Sequence, residues 1–234
     1  MSSPQPNPFV QYFRSKYIHF DSPRRVILVQ CAEDLFYLGL FGLIVSSLRE
    51  QQSVRVEQYV LRSLREGESR SLFALVASRC VINPLLNFKW VRLYKSYCDS
   101  VGYRNASFHP VTDAIDFYRA WVCWRNLADR KALIDLVIDN IAVGDLINDS
   151  FLRFKPSRTV ELQNTYLLIL LWQAHRDVRW AGNYFAQVKP KLYLTSYSTY
   201  IQHGIPVRVA LQHGVRVFSF GNYQEITKEL TRED

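Results

Sequence analysis

The 234 residues include one methionine, Met1, and four cysteines, Cys31, Cys80, Cys98 and Cys123, none of them in a C-x-x-C pair. No Cys/His spacing fits a zinc site, so no metal centre is expected, and widely spaced cysteines of this kind read as free thiols in a reducing cytoplasm. No uncharged run reaches the ~20 residues that a bilayer-spanning helix needs. The longest, LFYLGLFGLIVSSL (35–48) and NTYLLILLWQAH (164–175), read as buried helices. The charged-then-apolar pattern of a secretory signal is missing from the first residues, so secretion is not expected. There is no block of five or more basic residues and no nucleic-acid motif, which disfavours a nucleic-acid partner. G-x-G-x-x-G and P-loop fingerprints are absent too, which removes the commonest phosphate cradles, a sulfotransferase's included.

What is present is a folded globular composition, 48% hydrophobic and 21% charged, with net charge +8. A chain of this size can bury a full core without staples, and the positive balance favours an anionic partner, such as the cytoplasmic face of a membrane or a phosphorylated or acidic sugar. Residues 1–8, MSSPQPNP, read as a loose tail, and 9–234 as one α/β domain.

RRVILVQC (24–31) is a short apolar run that leads at once into the uncharged helical stretch to about Ser47, and SVRVEQYVL (53–61) alternates apolar and polar residues. Together they predict a β-α-β unit with its turn at Ala32 to Leu35, the strand being buried on both faces. From Ser63 to about Asn140 the pattern predicts a helix-rich insertion, with RSLFALVASRCV, LLNFKWVRLYKSYCDSVG and residues 111–140 as its helices and Thr112 or Asp113 as a cap. Tyr94, Tyr97, Trp121 and Trp124 in this stretch read as core aromatics. Gly144 and Pro156 interrupt the following stretch, 141–162. Residues 163–189 predict one long amphipathic helix that ends before Pro190. After it come a strand (191–197), a helix over TYIQHGIPVRVAL with Pro206 inside it, Gly214 as C-cap and a last strand, VRVFSF (215–220). The fold class expected is α/β, a parallel sheet flanked by helices, with the turn at 196–203 on the carboxyl edge of the strands, where such sheets bind ligands.

VGDLINDSFLRF (143–154), followed by KPKLYLTSYSTYIQHGIPVRVALQHGVRVFSFGN (189–222) and closed by LTRED, resembles bacterial capsule and surface-polysaccharide biosynthesis proteins that look like glycosyltransferases of the two-domain B-type fold. The resemblance implies a Rossmann-like sheet forming the N-terminal, acceptor-side half of such an enzyme, with the donor-binding domain absent from this chain or supplied by a partner chain. It also implies a nucleotide-activated sugar, CMP-linked or UDP-linked, as donor substrate rather than a tightly bound cofactor. The acceptor would be a glycan or lipid-linked saccharide, and the place of work the inner membrane face.

Glycosyl transfer needs a base or nucleophile and a means of stabilising the departing phosphate. With the resemblance, Asp145, Asp149 and His203 are the catalytic candidates, and Arg153, Ser196, Tyr197, Ser198, Tyr200 and Gly204 the substrate-binding ones. A bland alternative stands beside each. Asp145 can be a helix cap and Asp149–Arg153 a surface ion pair. The tyrosines can pack on helices, and His203 can hydrogen-bond locally. His213 reads as a helix C-terminal residue, and Glu33 and Asp34 as helix-start acids that could also face the cleft. For the domain as a whole the alternative is a non-catalytic module that holds a glycan or partner.

Overall fold

The computed structural model describes residues 25–60, 88–104, 109–155, 157–220 and 227–232. The tail at 1–8, the stretch RSLFALVASRCV, Cys80 and Pro156 lie outside them. A six-stranded sheet runs β3-β2-β1-β6-β7-β8, from β1 (Val26–Cys31), β2 (Arg55–Val60), β3 (Ser100–Arg104), β6 (Leu192–Thr195), β7 (Arg216–Ser219) and β8 (Lys228–Leu230). All neighbours are parallel except β8, which pairs antiparallel with β7. The chain order grows outward from β1 in one direction and then resumes beside it with β6, the Rossmann-like arrangement, whose switch point lies between β1 and β6.

Both faces of the sheet are covered. Ile27, Val29 and Cys31 pack with Tyr37, Phe41 and Val45 of α1 (Leu35–Gln51) and Tyr94 of α2 (Phe88–Tyr94). Leu28, Tyr59 and Tyr193 point the other way, into a larger core built on α5 (Gly144–Phe154), α6 (Thr165–Val188) and α7 (Ile201–Gln212). Alternate residues serving two cores explain why the central strands read as continuous apolar runs. The run 164–175 is the buried centre of α6, with Leu167 to Leu171 at most 3% exposed. Among the described residues no helix is long and apolar enough to cross a membrane.

The stretch read as a helix-rich insertion contains more than helices. Within LLNFKWVRLYKSYCDSVG the described helix is only Phe88–Tyr94; the chain then turns at 95–97 and enters β3, the sheet's edge strand. Residues 111–140 form α3 (Pro110–Asn126), the short α4 (Arg130–Ile134) and the start of a hairpin, β4 (Val137–Ile138) and β5 (Ile141–Ala142). Asp139 and Asn140 turn that hairpin with φ of 47° and 65°, the positive values a two-residue turn requires and Asp and Asn tolerate. Of the four aromatics read as core, Tyr94 is fully buried, whereas Trp121 is 45% exposed.

Some helix ends follow their sequence signals; that of α3 does not. It begins at Pro110 with His109 as N-cap, and Thr112 and Asp113, read as caps, lie inside its first turns, where Asp113 accepts from the His109 N–H at 3.1 Å. Asp34 caps α1 by accepting from the Phe36 N–H at 2.7 Å, and Asn164 caps α6 through the Tyr166 N–H at 2.9 Å. Gly214, φ 71°, closes α7 in a Schellman motif, with Val215 N–H donating to Ala210 C=O at 2.9 Å and Gly214 N–H to Leu211 C=O at 3.1 Å.

Candidate functional site

The β1–β6 register aligns Val29 with Leu194, so Gln30 and the turn after Thr195 meet at the carboxyl edge of the switch point. Gln30 is fully buried and its amide is used at both ends. Its Oε1 accepts from the Ser196 N–H at 2.8 Å and from Ser196 Oγ at 2.5 Å, while Nε2 lies 2.9 Å from His203 Nδ1. The Ser196 N–H can only donate, which fixes Oε1 on that side and makes Nε2 the donor to Nδ1. His203 Nδ1 is therefore an acceptor, and the neutral ring carries its proton on Nε2, which has no hydrogen-bond partner among the described residues. The half-buried imidazole has its pKa pushed down to about 4 by loss of solvent, so it stays uncharged at neutral pH.

Above this polar floor, Tyr197 is 42% exposed and meets the His203 ring edge-on at 5.7 Å and Tyr37 of α1 at 5.8 Å. Ser198 is half-buried. Tyr200, immediately before α7, has φ 62° and ψ 156°, a region nearly restricted to glycine. Its ring packs edge-on against Phe154 at 5.8 Å. Gly204 is required by packing, because a Cβ there would lie 2.5 Å from both the Ser198 carbonyl oxygen and Leu146.

Pro206 lies inside α7 and supplies no N–H to the Gln202 carbonyl one turn earlier. Tyr59 Oη of β2 donates to that carbonyl at 2.8 Å, so the missing helix bond is replaced from the sheet. The first turn of α7 is thus tied to β1 through Gln30, to β2 through Tyr59 and to α5 through Ser150, whose Oγ accepts from the Ile201 N–H at 3.0 Å.

The two motifs read from the sequence pack on each other along a seam between α5 and α7. Asp145, in the first turn of α5, pairs with both terminal nitrogens of Arg208 at 2.6 and 2.5 Å, and Arg208 also reaches the Ala142 carbonyl at 2.7 Å. Burial raises the Asp145 pKa, but the Arg208 hydrogen bonds and charge outweigh it, so the net shift is downward. Leu146 fills the space Gly204 leaves open. Gly144 meets α4 so closely that a Cβ would lie 1.9 Å from the Leu133 carbonyl oxygen, which is why glycine begins α5.

Asp149 and Arg153 are exposed on the outer side of α5 and do not join this seam. Asp149 accepts from Asn148 Nδ2 at 3.0 Å, and no ion pair links it to Arg153 among the described residues. The structure thus brings Ser196, Tyr197 and His203 together at the switch point and sets Asp145 on the seam. A cavity of about 620 Å³ lies on the seam side, lined in part by Asp145, Ser198, Arg208 and Arg232. Sequence reading missed Gln30 and Arg208. Gln30 had a signal, a lone amide in an otherwise apolar strand, and Arg208 had none stronger than its position about two turns after the helix start. Glu33 is exposed in the β1–α1 turn, and His213 is the exposed C-cap of α7. Compared with known proteins, the chain matches no family model, no curated protein and no solved structure.

Proposed function

We propose that this chain is the acceptor-side domain of a B-type glycosyltransferase, acting on a glycan or lipid-linked saccharide in capsule or lipopolysaccharide assembly at the inner membrane face. The donor, a CMP- or UDP-linked sugar, is held by a second domain that faces this one. The observation that carries the reading is the polar cluster at the carboxyl edge of the switch point, where open α/β sheets form their binding crevice: a buried glutamine holds a serine and a neutral imidazole whose Nε2–H has no partner among the described residues. Such a donor fits a sugar hydroxyl or a phosphate oxygen, and the exposed Tyr197 ring offers a face for a pyranose. In this state His203 stabilises an oxygen rather than removing a proton. Asp145 is neutralised by Arg208, which leaves the exposed Asp149 as the candidate carboxylate with no ion-pair partner among the described residues.

That distribution supports a second reading, a module that binds a glycan without turning it over. A titration of the purified chain separates both readings from a complete enzyme, and transfer rates with a donor-binding domain supplied separate them from each other. Binding of a phosphorylated or lipid-linked glycan without CMP- or UDP-sugar binding is expected, weakened about three- to ten-fold by His203→Ala, the value of one hydrogen bond. Tight sugar-nucleotide binding by this chain alone would overturn the acceptor-side assignment. In a form competent for transfer, unchanged rates with alanine at Asp145, Asp149 and His203 would remove the catalytic assignment and leave the binding module.

A further inference from the structure

Helix α3 turns its acidic residues inward and its apolar ones outward. Its charged residues are Asp113, Asp116, Arg119 and Arg125. Both aspartates are 1% exposed and are answered by α6. Arg176 Nε lies 3.1 Å from Asp113, and Arg179 contacts Asp113 at 3.0 Å and Asp116 at 2.6 Å. With its acids buried, the outer face presents Val111, Ile115, Tyr118 and Trp121, which are 74, 48, 63 and 45% exposed. Spacings of four, three and three residues align them as a stripe ~15 Å long on one side of the helix. Arg119 and Arg125 flank it, both exposed, and neither has an ion-pair partner among the described residues.

We propose that this face of α3 docks on an anionic lipid surface, with the apolar stripe in the headgroup boundary, Tyr118 and Trp121 at its level and the two arginines on lipid phosphates. Interfacial helices combine an apolar stripe, amphipathic aromatics and basic flanks in this way. Charge decides between lipid and a second copy of the chain. Two such faces brought together would set arginines near arginines with no exposed carboxylate of α3 to answer them. A stripe one helix wide is also small against the ~800 Å² per partner of a stable dimer. The net charge of +8 acts in the same sense. None of its residues belongs to the crevice, so its failure would leave the transferase chemistry standing and would bear only on the placement at the membrane face.

Flotation of the purified chain with vesicles of phosphatidylcholine alone, and of phosphatidylcholine mixed with phosphatidylglycerol, tests it. Binding is expected to the anionic vesicles only, to fall as salt is added, and to drop about five-fold for each of Arg119→Gln and Arg125→Gln. Ile115→Ser combined with Tyr118→Ser should lower it at least ten-fold with an unchanged thermal melt, and Trp121→Phe should remove the blue shift of tryptophan fluorescence on binding. Absence of flotation, equal binding to both vesicle types, or binding unaffected by the apolar double substitution would overturn the proposal. So would a dimer in sedimentation velocity that the same substitutions dissolve, which would make the occupant a second copy.

Discussion

At the switch-point crevice, Gln30 engages Ser196 and His203 and leaves the imidazole Nε2–H unanswered. At the α5–α7 seam, one helical turn away, Asp145 and Arg208 answer each other through two short hydrogen bonds. Both clusters join segments distant in sequence, and both involve α7. The crevice keeps an uncharged donor in a partly desolvated place, where a hydrogen bond to an incoming oxygen gains from weak competition by water. The seam keeps a satisfied charge pair beside close glycine packing, as expected of a joint between helices. A charged residue in a motif is therefore a poorer guide to chemistry than a group with unused hydrogen-bonding capacity. Here the polar group that organises the candidate site is the neutral amide of Gln30.

Disturbing the seam's packing should produce the largest effect. Gly204→Ala would set a methyl 2.5 Å from a backbone carbonyl oxygen and from Leu146. Since the carbonyl cannot retreat without moving the turn at Ser198, a loss of about 1–3 kcal/mol is expected in urea unfolding. The same displacement should weaken any ligand bound at the crevice, because Ser198 and His203 belong to the same turn. A variant with wild-type stability would show that the two regions are less tightly joined than the packing implies.

The crevice should reveal itself through pH. His203 has a folded-state pKa of about 4 against about 6.5 in an unfolded chain. Between those values the unfolded state binds more protons, so stability contributed by keeping the ring neutral is full above about pH 6.5 and is lost as pH falls toward 4. For a half-buried ring the loss is on the order of 2 kcal/mol across that window. His203→Gln should flatten this part of the pH–stability curve. An NMR titration of the His203 ring giving an ordinary histidine midpoint would contradict the desolvated, neutral imidazole.

Much of the fold was legible because its signals are local. The strands at 26–31, 55–60, 192–195 and 216–219 announce themselves as short β-rich runs, and Gly214 and Asn164 mark helix ends by backbone chemistry that neighbouring residues decide. β3 was not legible. SVGYR follows a helix by six residues, contains a glycine and pairs with only one neighbour, so its strand character comes from β2 rather than from its own sequence. Gly102 has a tertiary role there, since a Cβ would meet Glu57 of β2 at 2.1 Å. The β4–β5 hairpin did carry a signal, Asp-Asn between VI and IA, that helical periodicity upstream obscured. In the candidate site, Ser196, Tyr197 and His203 could be placed from strand order alone, because the end of a parallel strand fixes which side its turn faces. The partners could not. Nothing near Asp145 in sequence points to Arg208, and nothing near His203 points to Gln30, 173 positions earlier.

The seam's charge pair offers the smallest and sharpest contrast. Asp145 is 46% exposed and Arg208 28%, so solvent screens the pair and its worth is about 1 kcal/mol or less. Its folded-state pKa is lowered, mainly by Arg208 acting against the penalty of burial. Protonation therefore favours the unfolded chain, and the contribution is present at neutral pH and lost as pH falls below the ordinary aspartate value. Asp145→Asn should remove that acid-side slope while leaving the window controlled by His203 unchanged, as measured by urea unfolding at a series of pH values. Arg208→Gln should do the same, and the double variant should cost no more than the larger single one if the pair acts as a unit. If Asp145→Asn instead left stability unchanged at every pH but weakened glycan binding, Asp145 would belong to the binding surface, and the division between seam and crevice would have to be redrawn around the cavity that Asp145, Ser198 and Arg208 share.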